Sequence, residues 1–205
     1  MGRTIRGPWA AVLASALALS CAATLAWVSP AESSAPAATA PSSPNAKSAG
    51  CPTVTKPFRP TWANLPGVTS YAQVIAVKRD RNGLPGTLPT TTAAKGNFAW
   101  DPNRMPGTAT GNVLFNGHTW PDGTAIGNKM LRNLWKGDRI VLHGKDGAKL
   151  CYEVTARVQI RADGAGTRYY ENIGRPQLAI IVCSGRRLGP GNWTHRTYWL
   201  AKPVG

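Results

Sequence analysis

Leu178-Ala179-Ile180-Ile181-Val182-Cys183-Ser184-Gly185 is an apolar run that stops on a thiol and then breaks into Ser-Gly and two arginines. The run is short, rich in Ile and Val, and bounded by Pro176 and Gly185, which favours a strand buried on both faces over a helix. Such a strand delivers Cys183 to a sheet edge, where loops meet. Arg186, Arg187 and Arg196 follow closely, and positive charge of this kind stabilises a thiolate. Cys183 is therefore a candidate nucleophile. The plainer reading is a small core hydrophobe, since cysteine is among the most often buried residues. A base and an anion stabiliser elsewhere in the chain decide between the two.

A second apolar segment ends in the same way. Gly111-Asn112-Val113-Leu114-Phe115-Asn116-Gly117-His118-Thr119-Trp120 is a strand that closes on Gly117-His118, which leaves the imidazole free to approach a groove. A lone histidine there would be an ordinary turn residue. Two buried strands, each ending on one member of a nucleophile and base pair, make catalysis the better reading. His143 falls on the outward side of its strand beside a turn and is expected to be solvated. His195 adjoins Arg196 in a Pro-Gly-Asn-Trp loop and is the alternative base.

The rest of the domain reads as short strands and turns. Val74-Ile75-Ala76-Val77 and Arg139-Ile140-Val141-Leu142 are strands, the second running into a Lys145-Asp146-Gly147 turn. Leu150, Tyr152, Val154, Ala156, Val158 and Ile160 alternate with Cys151, Glu153, Thr155, Arg157, Gln159 and Arg161, so one face is expected in the core and the other in solvent. One helix is predicted over Asn128 to Trp135, from Met130, Leu131 and Leu134 at helical spacing and Gly137 behind them. Short strands, frequent Gly and Pro, and one or two short helices indicate a mainly β domain, a closed barrel or a sandwich.

The chain has 205 residues, 42% hydrophobic and 16% charged, enough for one domain with appendages. Arg3 and Arg6 precede twenty uncharged residues, Trp9 to Val28, a length that can cross a bilayer with the N-terminus in the cytoplasm and the remainder outside. A cleaved secretory signal is the alternative; the length of the span favours a retained anchor. The predicted organisation is an anchor over 1–28, an Ala/Ser/Pro-rich disordered linker over 29–57 and a catalytic domain over 58–205. From residue 51 onward, 21 basic residues face 8 acidic ones, a balance of +13. The basic stretches lack the aromatic interleaving of nucleic-acid modules, so no nucleic-acid partner is expected. An exported basic surface meets anionic wall polymers first. There is no Cys-x-x-Cys or paired-His spacing, and neither a metal nor another cofactor is expected.

The order His118, Cys183, Arg196 resembles that of the sortases, cysteine transpeptidases of Gram-positive surfaces. The similarity spans roughly residues 68 to 202. It includes Trp100 to Gly107 (Trp-x-x-x-x-x-Pro-Gly), the strand into Gly117-His118, Leu131 to Asp138 (Leu-x-x-Leu-x-x-Gly-Asp), the strand into Cys183, and Arg196 opening the last strand. Among the classes it is most like class F of actinobacteria, with class E as the near alternative. The resemblance implies a closed eight-stranded β-barrel with a groove at one end. It also implies a thioacyl mechanism on a Leu-Pro-x-Thr-Gly-type sorting motif. The implied partners are surface proteins carrying that motif at their C-terminus and, as acceptor, a cell-wall peptide amine on a lipid-linked precursor. His118, Cys183 and Arg196 are the implied catalytic residues, with Val182, Ser184 and Thr119 as expected substrate contacts. Sortases usually carry Thr where this chain has Val182, so a hydroxyl that could bond substrate is missing. Leu84-Pro85-Gly86-Thr87 looks like a sorting motif but lacks the following Gly, apolar tail and basic end of a substrate, and reads as a structural loop. Two other classes stand beside this one: another cysteine acyl-transferase of the wall, and a tethered module that binds wall without catalysis.

Two further cysteines lie outside this scheme. Cys151 is expected on the outward face of its strand and Cys51 where the linker meets the domain, in an oxidising setting. They are either bridged, closing a loop of about 100 residues, or unrelated thiols. Cys183 is expected to be free in both cases.

Overall fold

The computed structural model describes residues 50, 51 and 56–205; the anchor expected over 1–28 and most of the linker lie outside them. Among the described residues no helix is long and apolar enough to cross a membrane. Eight strands and one helix follow in order: β1 (Pro60–Leu65), β2 (Thr69–Ala76), β3 (Phe98–Trp100), β4 (Asn112–Gly117), α1 (Ile126–Asn133), β5 (Arg139–Gly144), β6 (Lys149–Arg161), β7 (Gln177–Gly189) and β8 (Asn192–Val204). They close into a barrel in the order β1-β2-β3-β4-β7-β8-β6-β5. The mainly β, closed eight-stranded fold expected above is therefore the fold found. β2 with β3 and β4 with β7 are parallel pairs; the other neighbours are antiparallel.

Strand period sorts the side chains. Leu178, Ile180 and Val182 of β7 point inward with Val113 and Phe115 of β4 and Trp199 and Ala201 of β8, forming the barrel core. Ala179 and Ile181 point outward with Leu114, Tyr198 and Leu200, and a second apolar layer forms there beneath Tyr169. The outer face of this part of the barrel is thus not simply solvent.

β6 departs from the single-faced alternation expected of it. Leu150, Tyr152 and Val154 are core, but a bulge between Val154 and Ala156 reverses the sides, and Ala156, Val158 and Ile160 join the outer layer. One extra residue in a ladder inverts the parity of everything beyond it. Arg157 is thereby brought to α1, where it donates to the Leu131 carbonyl at 2.8 Å and lies 4.2 Å from the Trp135 ring.

The helix begins two residues before the predicted start and ends two before the predicted end. Leu134 is already extended and fully buried, and Trp135 turns out to solvent. The early start is hidden in sequence because Gly127 reads as a breaker. The Asp146-Gly147 turn is as expected, both residues having positive φ (53° and 74°) as a tight hairpin requires. Cys51 and Cys151 are bonded, with their Cα atoms 5.7 Å apart, and Cys183 is the free cysteine among the described residues.

Candidate active site

β4 ends at Gly117, opposite Val182 of its parallel neighbour β7. β7 does not end there. It runs on to Gly189, paired with β8 alone, while β8 keeps β6 as its other neighbour as far as His195, so a two-stranded ribbon begins only past Ser184. The expectation that Cys183 closes its strand is corrected: the neighbouring strand stops, which uncovers one flank of a strand that continues. Arg196, likewise, does not open β8, which begins at Asn192; it is the direct cross-strand partner of Cys183. Residues in such a pair share a face, so guanidinium and thiol are presented together.

Cys183, His118 and Arg196 line one groove of about 270 Å³ on the outer side of the sheet, with Asn116, Ile181 and Tyr170 among its walls. Another cavity of about 280 Å³ opens at the opposite ends of the strands, between Val113, Leu150, Tyr152 and Gln177. Its titratable wall residue is Tyr152, whose phenol burial pushes far up, so chemistry rather than size selects the Cys183 groove.

His118 is fixed from two sides. The Gly127 N–H donates to the His118 carbonyl at 2.9 Å, and Asn128 exchanges two hydrogen bonds with the Trp120 backbone, at 2.9 and 3.0 Å. Gly127 is there because a Cβ would stand 2.6 Å from both the His118 carbonyl oxygen and Thr119 Oγ1. On the ring side, Nε2 lies 2.8 Å from the Leu88 carbonyl. Thr119 Oγ1 donates to the Cys183 carbonyl at 2.7 Å and ties the segment that carries His118 to the Cys183 backbone.

Two opposing effects act on the Cys183 thiol. Burial pushes its pKa up and the Arg196 charge pulls it down; burial wins, and the thiol lies above its ordinary range. This corrects the sequence expectation of a ready-made thiolate. Arg186 and Arg187 stand exposed on the ribbon. Arg196 Nη1 donates to the His195 carbonyl at 3.0 Å, which orients its fork without neutralising it.

The expected substrate contacts divide. Val182 borders the groove but is 2% exposed and belongs to the core cluster. Ser184 is buried and its hydroxyl accepts from Thr197 Oγ1 at 2.9 Å, while Thr119 is engaged with Cys183 as described; neither lines the groove. Both hydroxyls hold the frame rather than face a ligand, and the expectation of direct contact is corrected for these two. His195 is not in a loop as expected: it lies within β8, paired with Ser184 of β7 and on the opposite face from its neighbour Arg196, with Nδ1 2.8 Å from Thr194 Oγ1. His143 is not simply solvated: its ring stacks on Trp62 at 3.5 Å, and burial with the Lys149 charge lowers its pKa. Sequence reasoning missed Asn116 and the Leu84–Leu88 segment as parts of the groove. Nothing local in the sequence marks a contact made across 30 residues.

The sequence matches the family described as Sortase domain over residues 69–204. No curated protein matches it. Similar solved structures include Streptococcus agalactiae sortase C1 in complex with MTSET (16% identity, TM-score 0.51, covering 71% of this chain and 69% of that one). Streptococcus pneumoniae sortase C is similar at 14% identity and TM-score 0.51, over 72% of this chain and 69% of that one. A Clostridium perfringens sortase D5 transpeptidase is similar at 17% identity and TM-score 0.50, over 70% and 78%. At these identities the likeness speaks for the fold, and none of the three is of class F or E. The family match runs from β2 through the last strand and takes in the segments that carry His118, Cys183 and Arg196, so the chain belongs to the sortase family.

Proposed function

We propose that this protein is a sortase transpeptidase, most like class F, that cleaves a Leu-Pro-x-Thr-Gly-type sorting motif of surface proteins and joins the new carboxyl end to a wall peptide amine. The observation that carries this reading is the cross-strand pairing of Cys183 with Arg196 in the groove that His118 also lines.

Burial keeps Cys183 protonated at neutral pH, so the thiol must surrender its proton as sulfur attacks the Thr carbonyl. His118 is the base in the groove. The S–C bond forms, the Thr–Gly C–N bond breaks, and His118 returns the proton to the departing amine. The incoming amine then attacks the thioester, gives its proton to His118 and displaces Cys183, which is reprotonated. Arg196 stabilises the oxyanion of both tetrahedral intermediates by charge-assisted hydrogen bonds; its planar fork stays charged at any working pH. The uncharged span Trp9–Val28 would hold this domain on the outer face of the membrane, near lipid-linked acceptors.

Incubating the protein with a panel of sorting peptides and an amine, and reading products by mass, tests the reading. Ligation by the native protein and near-complete loss in Cys183→Ala, His118→Ala and Arg196→Ala, each still folded, are expected, because residues acting as a unit each carry most of the rate. Full activity of His118→Ala with loss in His195→Ala would reassign the base.

A further inference from the structure

The loop between β2 and β3 is built as a strap across the end of β4. It is secured at its start by Arg79, whose Nη2 pairs with the buried Asp101 carboxylate at 2.7 Å. Asp80 Oδ1 then accepts from the backbone N–H groups of Asn82 and Leu84, at 2.8 and 2.9 Å, and turns the chain. Gly86 doubles back so close to the start of the strap that a Cβ would stand 2.4 Å from the Lys78 carbonyl oxygen. The Leu88 side chain is buried with Ala94 and Ala99, with Ile75 and Val77 against them. Two hydrogen bonds reach this strap, one from β4 and one from the residue just beyond its end. Asn116 Nδ2 donates to the Gly86 carbonyl at 2.9 Å, and His118 Nε2 lies 2.8 Å from the Leu88 carbonyl.

A carbonyl oxygen has no proton to give, so Nε2 carries the hydrogen whether the ring is neutral or charged. In the neutral ring Nδ1 is then the basic nitrogen. We propose that Asn116 is a positioning residue for proton transfer: by holding the Gly86 carbonyl it keeps the Leu88 carbonyl on His118 Nε2, which selects the Nε2–H tautomer. Nδ1 is then the atom that takes the Cys183 proton and returns it to the leaving amine. This role rests on the transpeptidase reading above. An apolar side chain at 116 could pack between Ala99 and Ile181, its neighbours in register, but would leave the Gly86 carbonyl without its donor.

The test is the ¹⁵N spectrum of the full-length protein labelled in histidine, with the His118 signals assigned by their loss in His118→Ala. The native protein should show Nε2 protonated and Nδ1 bare above the ring's pKa. Asn116→Ala should give a tautomer mixture and a kcat lowered roughly 10- to 100-fold, as small misplacements of a reacting group do, with KM little changed. Asn116→Asp, nearly isosteric but without the donor, serves if the alanine variant does not fold. A native His118 with Nδ1 protonated overturns the proposal, and so does a variant that retains both tautomer and kcat. A fall in kcat with the tautomer unchanged also overturns it, since Asn116 would then be structural only. Failure of the transpeptidase reading is distinguished by absent ligation in the native protein, which leaves the spectrum readable.

Discussion

At Cys183 the protein gives up thiolate for a sheltered groove. Because burial outweighs the Arg196 charge, the alkylation rate of Cys183 should inflect at a pH above that of a free thiol, roughly 8.5. Arg196→Ala should move the inflection higher still, since it removes the one influence that favours the anion. An inflection below the free-thiol value would contradict this account. The same shift fixes a sign for stability: the thiol's contribution is fully present below its unfolded pKa and is lost as pH rises through the higher folded value. Val182 shows the opposite constraint, because its side chain lies in the core. Val182→Thr would put a hydroxyl among apolar groups at a cost of about 1–3 kcal/mol, read as a lower denaturation midpoint. A gain in turnover without loss of stability would mean that this side chain answers to substrate.

Among the elements, α1 matters less for its own stability than for what its first turn holds. Gly127→Ala drives a methyl into the His118 carbonyl and Thr119 Oγ1, both fixed groups. Overpacking of this kind costs about 1–3 kcal/mol, and the displacement falls on the backbone that carries His118. We expect both a lower midpoint and a kcat reduced at least tenfold, from the same sensitivity to misplaced groups. Gly96→Ala is the control, since a Cβ there meets nothing within 4 Å. Equal effects in the two variants would refute the clamp. β7 is the complementary device: by outrunning β4 it leaves Cys183 paired with Arg196 of β8 yet open on its other flank.

Across the whole molecule, the Cys51–Cys151 bond and the Cys183 groove occupy opposite ends of the barrel. Cys151 pairs in register with Val204, whereas Ile160, which lines the groove, pairs with Arg196 farther along the same ladder. The bond spans 100 residues of chain, and the loop-entropy estimate for such a closure is roughly 4–5 kcal/mol. The Cys51→Ser, Cys151→Ser double variant should therefore lose stability of that order in denaturant unfolding while keeping its kcat at temperatures where it remains folded. Loss of activity in a folded double variant would show that the bond reaches the groove.

Local chemistry was enough to read parts of β2, β5 and β6, the Asp146-Gly147 hairpin, the buried run into Cys183 and the segment into His118, because period and turn residues are written in neighbouring positions; β1 and β3 went unread. The order of His118, Cys183 and Arg196, together with the surrounding motifs, was enough to suggest the sortase family. What neighbouring residues could not encode was sidedness. The outward turn of Ala156, Val158 and Ile160 depends on one bulge against β8, and the opening at Cys183 depends on where a different strand stops. The burial that raises the thiol's pKa, the withdrawal of Ser184 and Thr119 from the groove, and the Leu88 carbonyl on His118 all arise from registers between segments far apart in the chain. Desolvation and hydrogen-bond partners are properties of those registers, and so only the folded barrel decides them.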